Sequence, residues 1–90
     1  MLSGKLTVNN TLGLHARAAA QLVKLASTFR SNITLSRADL NIFANAKSIL
    51  SLLTLAAAKG TELDLVIEGE DEAIAFTAVE QLFATGFGEM

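Results

Sequence analysis

The 90-residue sequence contains no cysteine, proline, tryptophan or tyrosine, and it has a single histidine, His15. A chain without cysteine can form neither a disulfide framework nor a reactive thiolate. One histidine cannot build a His-rich metal site, and zinc sites in particular draw their ligands mainly from cysteine and histidine. The composition therefore predicts no metal centre, and we expect the chain to work without a cofactor.

Charged residues are also scarce, at 18% of the chain, and the net charge is −2. The basic residues are scattered instead of forming a stripe, so nucleic acid is not an expected partner. No stretch approaches the ~18 uninterrupted apolar residues of a membrane span, so we expect no membrane insertion and a cytoplasmic location. Hydrophobic residues make up 51% of the chain, which is enough for one small domain spanning residues 1–90. We expect this domain to be monomeric.

The pattern of apolar residues predicts seven secondary-structure elements. Period-two alternation is typical of half-buried strands, and apolar side chains three and four residues apart are typical of amphipathic helices. The predicted strands are residues 5–8, 32–36, 40–45 and 61–69, and the predicted helices are residues 16–29, 48–57 and 70 to Gly86. In the order βαββαβα, three helices can cover one face of a four-stranded, mainly antiparallel sheet. The sequence thus predicts a two-layer α+β domain.

His15 follows a glycine-containing turn and directly precedes the first predicted helix. Backbone N–H groups at a helix start lack intrahelical partners, and the helix dipole is positive there, so an anion is stabilised. A neutral imidazole is a nucleophile near neutral pH, and a phosphoryl group on its ring could accept hydrogen bonds from the N–H groups of Ala16 and Arg17. The guanidinium of Arg17 also matches phosphate oxygens. These features together predict that His15 accepts a phosphoryl group.

A simpler interpretation of the same residues stays open at this point. A single histidine near a helix start is more often a surface or capping residue, and an arginine in a first helical turn is more often only solvated. No acidic residue lies near His15 in the sequence, so neither a catalytic triad nor a general-base relay is predicted. A reactive His15 would then work against the surface of another protein.

Two segments, LGLHARAAAQLVKLAS and ANAKSILSLLTLAAAKGTELDLVIEGEDEAIA, resemble the HPr family. These proteins are the histidine-containing phosphocarriers of the phosphoenolpyruvate-dependent sugar phosphotransferase system. The resemblance covers nearly the whole chain, and its most specific elements are residues 13–17, the Lys47-Ser48 pair and residues 59–61. It implies a single HPr-like domain with the fold of an open-faced β-sandwich. One departure is Ala18, since a proline usually follows the arginine in this family.

The resemblance implies a relay in which phosphorylated Enzyme I passes its phosphoryl group to Nδ1 of His15. A IIA protein or domain would then collect the group during sugar uptake, so the chain would be a carrier and not a free-standing catalyst. Two alternatives stay open. The chain could be an HPr-like regulatory module of a nitrogen-linked phosphorelay, or an interaction domain that is never phosphorylated.

Ser48 has both a structural and a regulatory interpretation. Serine is among the best amino-terminal caps of a helix, and the helix predicted at 48–57 begins at this residue. The resemblance to the family also makes Ser48 the position at which an ATP-dependent kinase, HPr kinase/phosphorylase, modifies some HPr proteins.

A docking patch for partner proteins is predicted around His15. Its apolar members are Leu14, Ala20, Ile49, Leu50 and Leu53, and its basic margin is Arg17, Lys24 and Lys47. Because a short helix must bury one stripe, we expect at least two of the five apolar residues to be buried. The remaining large apolar side chains, Phe29, Phe43, Phe76 and Phe83, are predicted to lie in the core.

Overall fold

Within residues 1–89, which the computed structural model describes, the elements follow the predicted order βαββαβα. The strands are β1 (Leu2–Thr7), β2 (Asn32–Arg37), β3 (Ile42–Asn45) and β4 (Glu62–Glu68), and the helices are α1 (Ala16–Ala26), α2 (Ile49–Leu53) and α3 (Glu72–Ala84). Two short 3-10 turns, at Ala38–Leu40 and Gly86–Gly88, follow β2 and α3.

The four strands form one sheet in the order β1-β4-β2-β3, and every neighbouring pair is antiparallel. Strand β4 lies in the centre and shows the clearest alternation, with Leu63, Leu65 and Ile67 fully buried. The buried face of the sheet packs against the helices, and the other face is open. The predicted open-faced α+β sandwich is confirmed.

Helix α1 buries one stripe against this sheet. Ala18, Leu22 and Ala26 recur every four residues and are fully inaccessible to solvent. Full burial of a leucine side chain contributes roughly 1.5–3 kcal/mol. Because this stripe faces the sheet, it fixes which side of the first turn of α1 points away from the core. That turn begins directly after His15 and contains Arg17.

One of the four phenylalanines predicted to lie in the core, Phe43, lies outside it. Phe43 lies on the open face of the sheet, where it pairs with Ser36 of β2, and it is 68% exposed. Its neighbour Ala44 points to the helices instead and is buried. Phe83 is buried as predicted, and Phe29 and Phe76 are partly buried against the core.

All three helices are shorter than predicted, and α3 runs from Glu72 to Ala84 instead of from residue 70 to Gly86. Helix α1 ends at Ala26 and not near residue 29, and α2 ends at Leu53 and not near residue 57. After Leu53 the chain makes tight turns, and Ala56 adopts a left-handed conformation with φ of +48°. Since a non-glycine residue with positive φ cannot continue a helix, the segment after Leu53 turns back toward the start of α1.

Candidate functional site

The loop before α1 is held by a backbone contact with the segment after α2. The N–H of Leu14 donates to the carbonyl of Ala57 at 2.8 Å, and the Leu14 side chain is buried. Gly13 has φ of +69°, and a Cβ at this position would lie 2.6 Å from the oxygen of Ala57. Only glycine fits this left-handed turn, so Gly13 is required for the approach of the chain to His15.

His15 is the N-cap residue of α1. Its backbone is extended, with φ of −79° and ψ of 179°, and its carbonyl accepts the N–H of Ala19 at 2.8 Å. Among residues 1–89 no acceptor contacts the backbone N–H groups of Ala16, Arg17 and Ala18. These three donors sit at the positive end of the helix dipole, which is the anion-stabilising environment that the sequence predicts.

The structure brings an acidic residue to His15 from the far end of the chain. Oε1 of Glu89 lies 2.8 Å from Nε2 of His15, and Oε2 lies 3.3 Å from Nη2 of Arg17. The His15 side chain is 26% exposed and that of Glu89 is 16% exposed. No acidic residue lies near His15 in the sequence, and the interpretation of the sequence missed Glu89 because 74 residues separate the two.

Asn10 is a second residue that the sequence interpretation missed. Its side chain is completely buried, and Nδ2 donates to the carbonyl of Gly13 and to Oε1 of Glu89, both at 2.7 Å. The same carboxylate oxygen thus accepts from both Asn10 and His15. Asn10 ties the loop that carries His15 to the last residues of the described chain.

The carboxyl-terminal segment reaches His15 because of how it leaves α3. Gly86, Phe87 and Gly88 all have positive φ, so the chain turns sharply after the helix. The Phe87 ring is buried and packs edge to face on Phe83, with ring centroids 4.9 Å apart. This aromatic anchor holds the segment on the domain, and Glu89 follows two residues later.

The charge and tautomer of this pair follow from its hydrogen bonds. The hydrogen bond from His15, and next that from Asn10, hold the pKa of the Glu89 carboxyl below its usual 4.5, although partial burial opposes them. An ionised carboxylate only accepts, so Nε2 must carry a proton in this contact. In the neutral ring the lone pair then lies on Nδ1, which makes no hydrogen bond to residues 1–89.

The predicted basic margin is only partly assembled around His15. Arg17 is exposed and adjacent, but Lys24 is nine residues further along α1, about 13 Å away along the helix axis. Nζ of Lys47 donates to the carbonyl of Phe29 at 2.8 Å, beyond the opposite end of α1. Lys24 and Lys47 therefore do not border the imidazole.

The docking patch is more exposed than predicted. Of its five apolar members only Leu14 is buried, so the expectation of at least two buried residues is wrong. Helix α2 has five residues and buries a single one, Leu52. The exposed members are Ala20, Ile49, Leu50 and Leu53.

Ser48 lies at the amino end of α2, and its predicted capping role is confirmed. Its Oγ accepts the N–H of Ser51 at 3.3 Å, and the side chain of Ser51 in turn accepts the N–H of Asn45 at 2.9 Å. Lys47, which precedes Ser48, contacts the carbonyl of Phe29 beyond the carboxyl end of α1.

The fold and the site define a phosphocarrier: a βαββαβα sandwich that presents its one histidine at the start of a helix. The model of a protein family described as the PTS HPr component phosphorylation site matches residues 2–85. The chain belongs to the HPr family of phosphoryl carriers of the phosphotransferase system. No α-helix in the described part of the chain has the length and hydropathy of a membrane span.

Curated relatives of two kinds match nearly the full chain. The chain is 49% identical to phosphocarrier protein HPr of Xylella fastidiosa, over 99% of this chain and 98% of the relative. It is 36% identical to phosphocarrier protein NPr of Proteus mirabilis, over 94% of this chain and 93% of the relative. Both relatives are phosphocarriers, which agrees with the match to the family model.

Solved structures agree with this assignment. A crystal structure of HPr from Thermoanaerobacter tengcongensis superposes with a TM-score of 0.93 at 38% identity, covering 100% of this chain and 99% of that one. Crh of Bacillus subtilis, whose structure is described as a swapped dimer, gives a TM-score of 0.75 at 36% identity, over 96% and 97% of the chains. The fold is thus that of known HPr structures.

Proposed function

We propose that His15 is the residue on which this phosphocarrier holds the phosphoryl group. The observation that carries the proposal is the position of His15 at the N-cap of α1, beside three backbone donors with no acceptor in residues 1–89. It is also the only histidine in the sequence. Arg17, one residue into the helix, adds a charged donor for the phosphoryl oxygens.

The transfer step needs no cofactor. The lone pair of Nδ1 attacks the phosphorus of the incoming donor, and the bond between phosphorus and the donor atom breaks with its electron pair left on the donor. The N–H groups of Ala16 and Arg17 and the Arg17 guanidinium then bind the phosphoryl oxygens. Delivery to the acceptor is the reverse of this step. A shallow, partly exposed site suits both directions, since tight binding would trap the group.

The proposed partners are Enzyme I as donor and a IIA protein or domain as acceptor, in the sugar branch of the system. Identity to the Xylella HPr is 49%, compared with 36% to the Proteus NPr, which favours this branch over a nitrogen-linked relay. We include in the proposal a single HPr-like domain, monomeric and cytoplasmic.

The proposed docking surface is the exposed part of the docking patch: Ala20, Ile49, Leu50 and Leu53. The N–H of Leu14 donates to the carbonyl of Ala57, so the segment after α2 contacts the loop that carries His15. An apolar surface next to the reactive ring would let a partner bury the site while its own phosphoryl group approaches His15.

Ser48 is the proposed regulatory position, with HPr kinase/phosphorylase as the modifying enzyme. A phosphate on Oγ would sit at the amino end of α2, where the helix start favours negative charge. It would also add charge beside Ile49 and Leu50 of the docking surface. Incubation with such a kinase and ATP should give an acid-stable adduct that is lost in Ser48→Ala, and an unchanged mass would contradict this part of the proposal.

The role of His15 is tested by incubating the protein with phosphoenolpyruvate and Enzyme I and measuring its intact mass. We expect a gain of one phosphoryl group that acid treatment removes, since phosphohistidine is acid-labile. His15→Ala should show no gain. An acid-stable adduct, or an unchanged adduct in His15→Ala, would contradict the proposal.

The branch is tested in the same assay by replacing the sugar-branch Enzyme I with its nitrogen-branch homologue. We expect faster transfer from the sugar-branch enzyme. Faster transfer from the nitrogen-branch enzyme would move the protein to the nitrogen-linked relay while leaving the role of His15 intact.

A further inference from the structure

The hydrogen bonds of the Asn10 amide allow only one orientation of that side chain. Both of its acceptors, the Gly13 carbonyl and Oε1 of Glu89, lie 2.7 Å from Nδ2. The opposite orientation would turn Oδ1 toward two acceptor oxygens. Both N–H groups of the amide are therefore committed, one to the loop that carries His15 and one to the carboxylate that contacts it.

We propose that Asn10 is a positioning residue that acts through Glu89 to hold the His15 ring with its proton on Nε2 and its lone pair on Nδ1. The proposal rests on the proposed role of His15 as the phosphoryl acceptor. Asn10 selects Oε1 of Glu89, and that oxygen in turn accepts the Nε2 proton at 2.8 Å. The nucleophilic nitrogen is thus chosen by a residue that touches neither the ring nor the phosphoryl group.

Burial makes this arrangement specific to an amide at position 10. Asn10 is fully inaccessible to solvent, so water cannot replace either of its hydrogen bonds. An aspartate of the same shape would turn a carboxylate toward Glu89 and toward the Gly13 carbonyl. Glu89 would then lose a donor and gain a repulsive neighbour.

Glu89 also has an electrostatic effect during transfer. As the bond between Nδ1 and phosphorus forms and the bond between phosphorus and the donor breaks, the ring becomes positively charged while its proton stays on Nε2. A carboxylate hydrogen-bonded to that proton stabilises the charged ring, as the buried aspartate of serine proteases stabilises its histidine. The pair thus fixes the tautomer and lowers the barrier to transfer.

The test uses the protein with ¹⁵N-labelled histidine, in which His15 gives the only ring signals. The ¹⁵N chemical shifts of the unphosphorylated protein, with the ring neutral, report which nitrogen carries the proton. We expect the Nε2-protonated form in the wild type, a mixture of tautomers in Asn10→Ala and in Glu89→Ala, and the wild-type form in the control Asn9→Ala, which changes an exposed neighbour. Glu89→Ala leaves the bond between Asn10 and Gly13 in place, so its effect is separate from any loss of loop structure.

Transfer kinetics provide a second readout. We expect kcat with Enzyme I to fall about tenfold or more in Asn10→Ala and Glu89→Ala, with KM unchanged. Glu89→Gln keeps an acceptor oxygen facing Asn10 and His15 but removes the charge, so it should keep the wild-type tautomer and lose kcat. Wild-type tautomer and kcat in Asn10→Ala and Glu89→Ala would overturn the proposal. Failure of the wild type to accept any phosphoryl group would instead overturn the role of His15. The two failures are distinguishable because the tautomer is measured on the unphosphorylated protein.

Discussion

The guanidinium of Arg17 pairs with the carboxylate of Glu89, with Nη2 3.3 Å from Oε2. In the unphosphorylated protein this arginine therefore already has an anionic partner. Its side chain is exposed, so it can turn from the carboxylate to an incoming phosphoryl group without disturbing the core. The ion pair neutralises Arg17 and keeps it beside the imidazole of His15.

Replacing Arg17 should slow transfer without affecting the fold. Removing one donor to a developing anion costs roughly 10²-fold in rate, so we expect Arg17→Ala to lower kcat with Enzyme I by about that factor. Exposed ion pairs contribute about 0–1 kcal/mol, so the melting temperature should change little. Arg17→Lys keeps the charge but not the planar fork and should fall between the two proteins. Quench-flow rates equal to the wild type in Arg17→Ala would show that the arginine is only solvated.

The docking surface can be tested with a matched pair of apolar truncations. Leu50 on α2 is 75% exposed and Ile74 on α3 is 69% exposed, so removing either should leave stability nearly unchanged. We expect Leu50→Ala to raise KM for Enzyme I with kcat unaffected, because the contact is made equally before and during transfer. Ile74→Ala should leave both constants at the wild-type values. Equal effects of the two substitutions would mean that the surface on α2 is not the one that docks.

Replacing Gly13 should be more damaging than replacing Gly60, another glycine with positive φ. Gly13→Ala strains the backbone and also drives a Cβ to 2.6 Å from the Ala57 oxygen, whereas Gly60→Ala is strained but meets nothing within 4 Å. Strain of this kind costs roughly 1–2 kcal/mol, so both variants should melt earlier than the wild type. Only Gly13→Ala should lose more than this and also slow transfer. Urea unfolding and phosphotransfer rates of the two variants decide the point, and indistinguishable behaviour would contradict the role given to Gly13.

The loss of folding stability at acid pH should depend on Ser31. The hydroxyl of Ser31, followed by the backbone N–H of Arg30, holds the pKa of Asp71 below its usual 3.8. An acid whose pKa is lowered by folding adds stability above pH 3.8, and this contribution is lost as the pH falls through the folded-state pKa. Ser31→Ala should therefore be less stable than the wild type near neutral pH, with the difference shrinking at lower pH.

Unfolding by urea across this pH range measures that difference. Ser27→Ala changes an exposed serine whose side chain bonds to no carboxylate among residues 1–89; it serves as the control and should show no such pH dependence. A constant gap between Ser31→Ala and the wild type at every pH would mean that Asp71 is not the group involved.

Most of the fold could be predicted because its signals are local. Strand β4 alternates over seven residues and α1 carries a buried stripe, and both patterns are visible in the sequence. The position of Phe43 could not be predicted in this way. Alternation in a four-residue edge strand assigns residues to two faces but does not show which face the helices cover. In β3 the face that packs against the helices carries Ala44 and not Phe43.

The residues of the candidate site likewise fall into those that local sequence signals predict and those that they do not. His15 and Arg17 are adjacent to a predicted helix start, so local rules place them beside the free N–H groups. Glu89 and Asn10 meet His15 only because the chain turns sharply after α3 and Phe87 anchors that turn against Phe83. That turn requires positive φ at three consecutive residues, Gly86, Phe87 and Gly88. The sequence carries no signal that Phe87, a residue other than glycine, adopts this conformation.

The most direct test of the account is the site of phosphoryl attachment on the labelled imidazole. After phosphorylation by Enzyme I, the protein with ¹⁵N-labelled histidine should show one-bond coupling between phosphorus and Nδ1 of His15, with the proton still on Nε2. Coupling to Nε2 instead, or a phosphorylated protein without any phosphorus–nitrogen coupling, would contradict it.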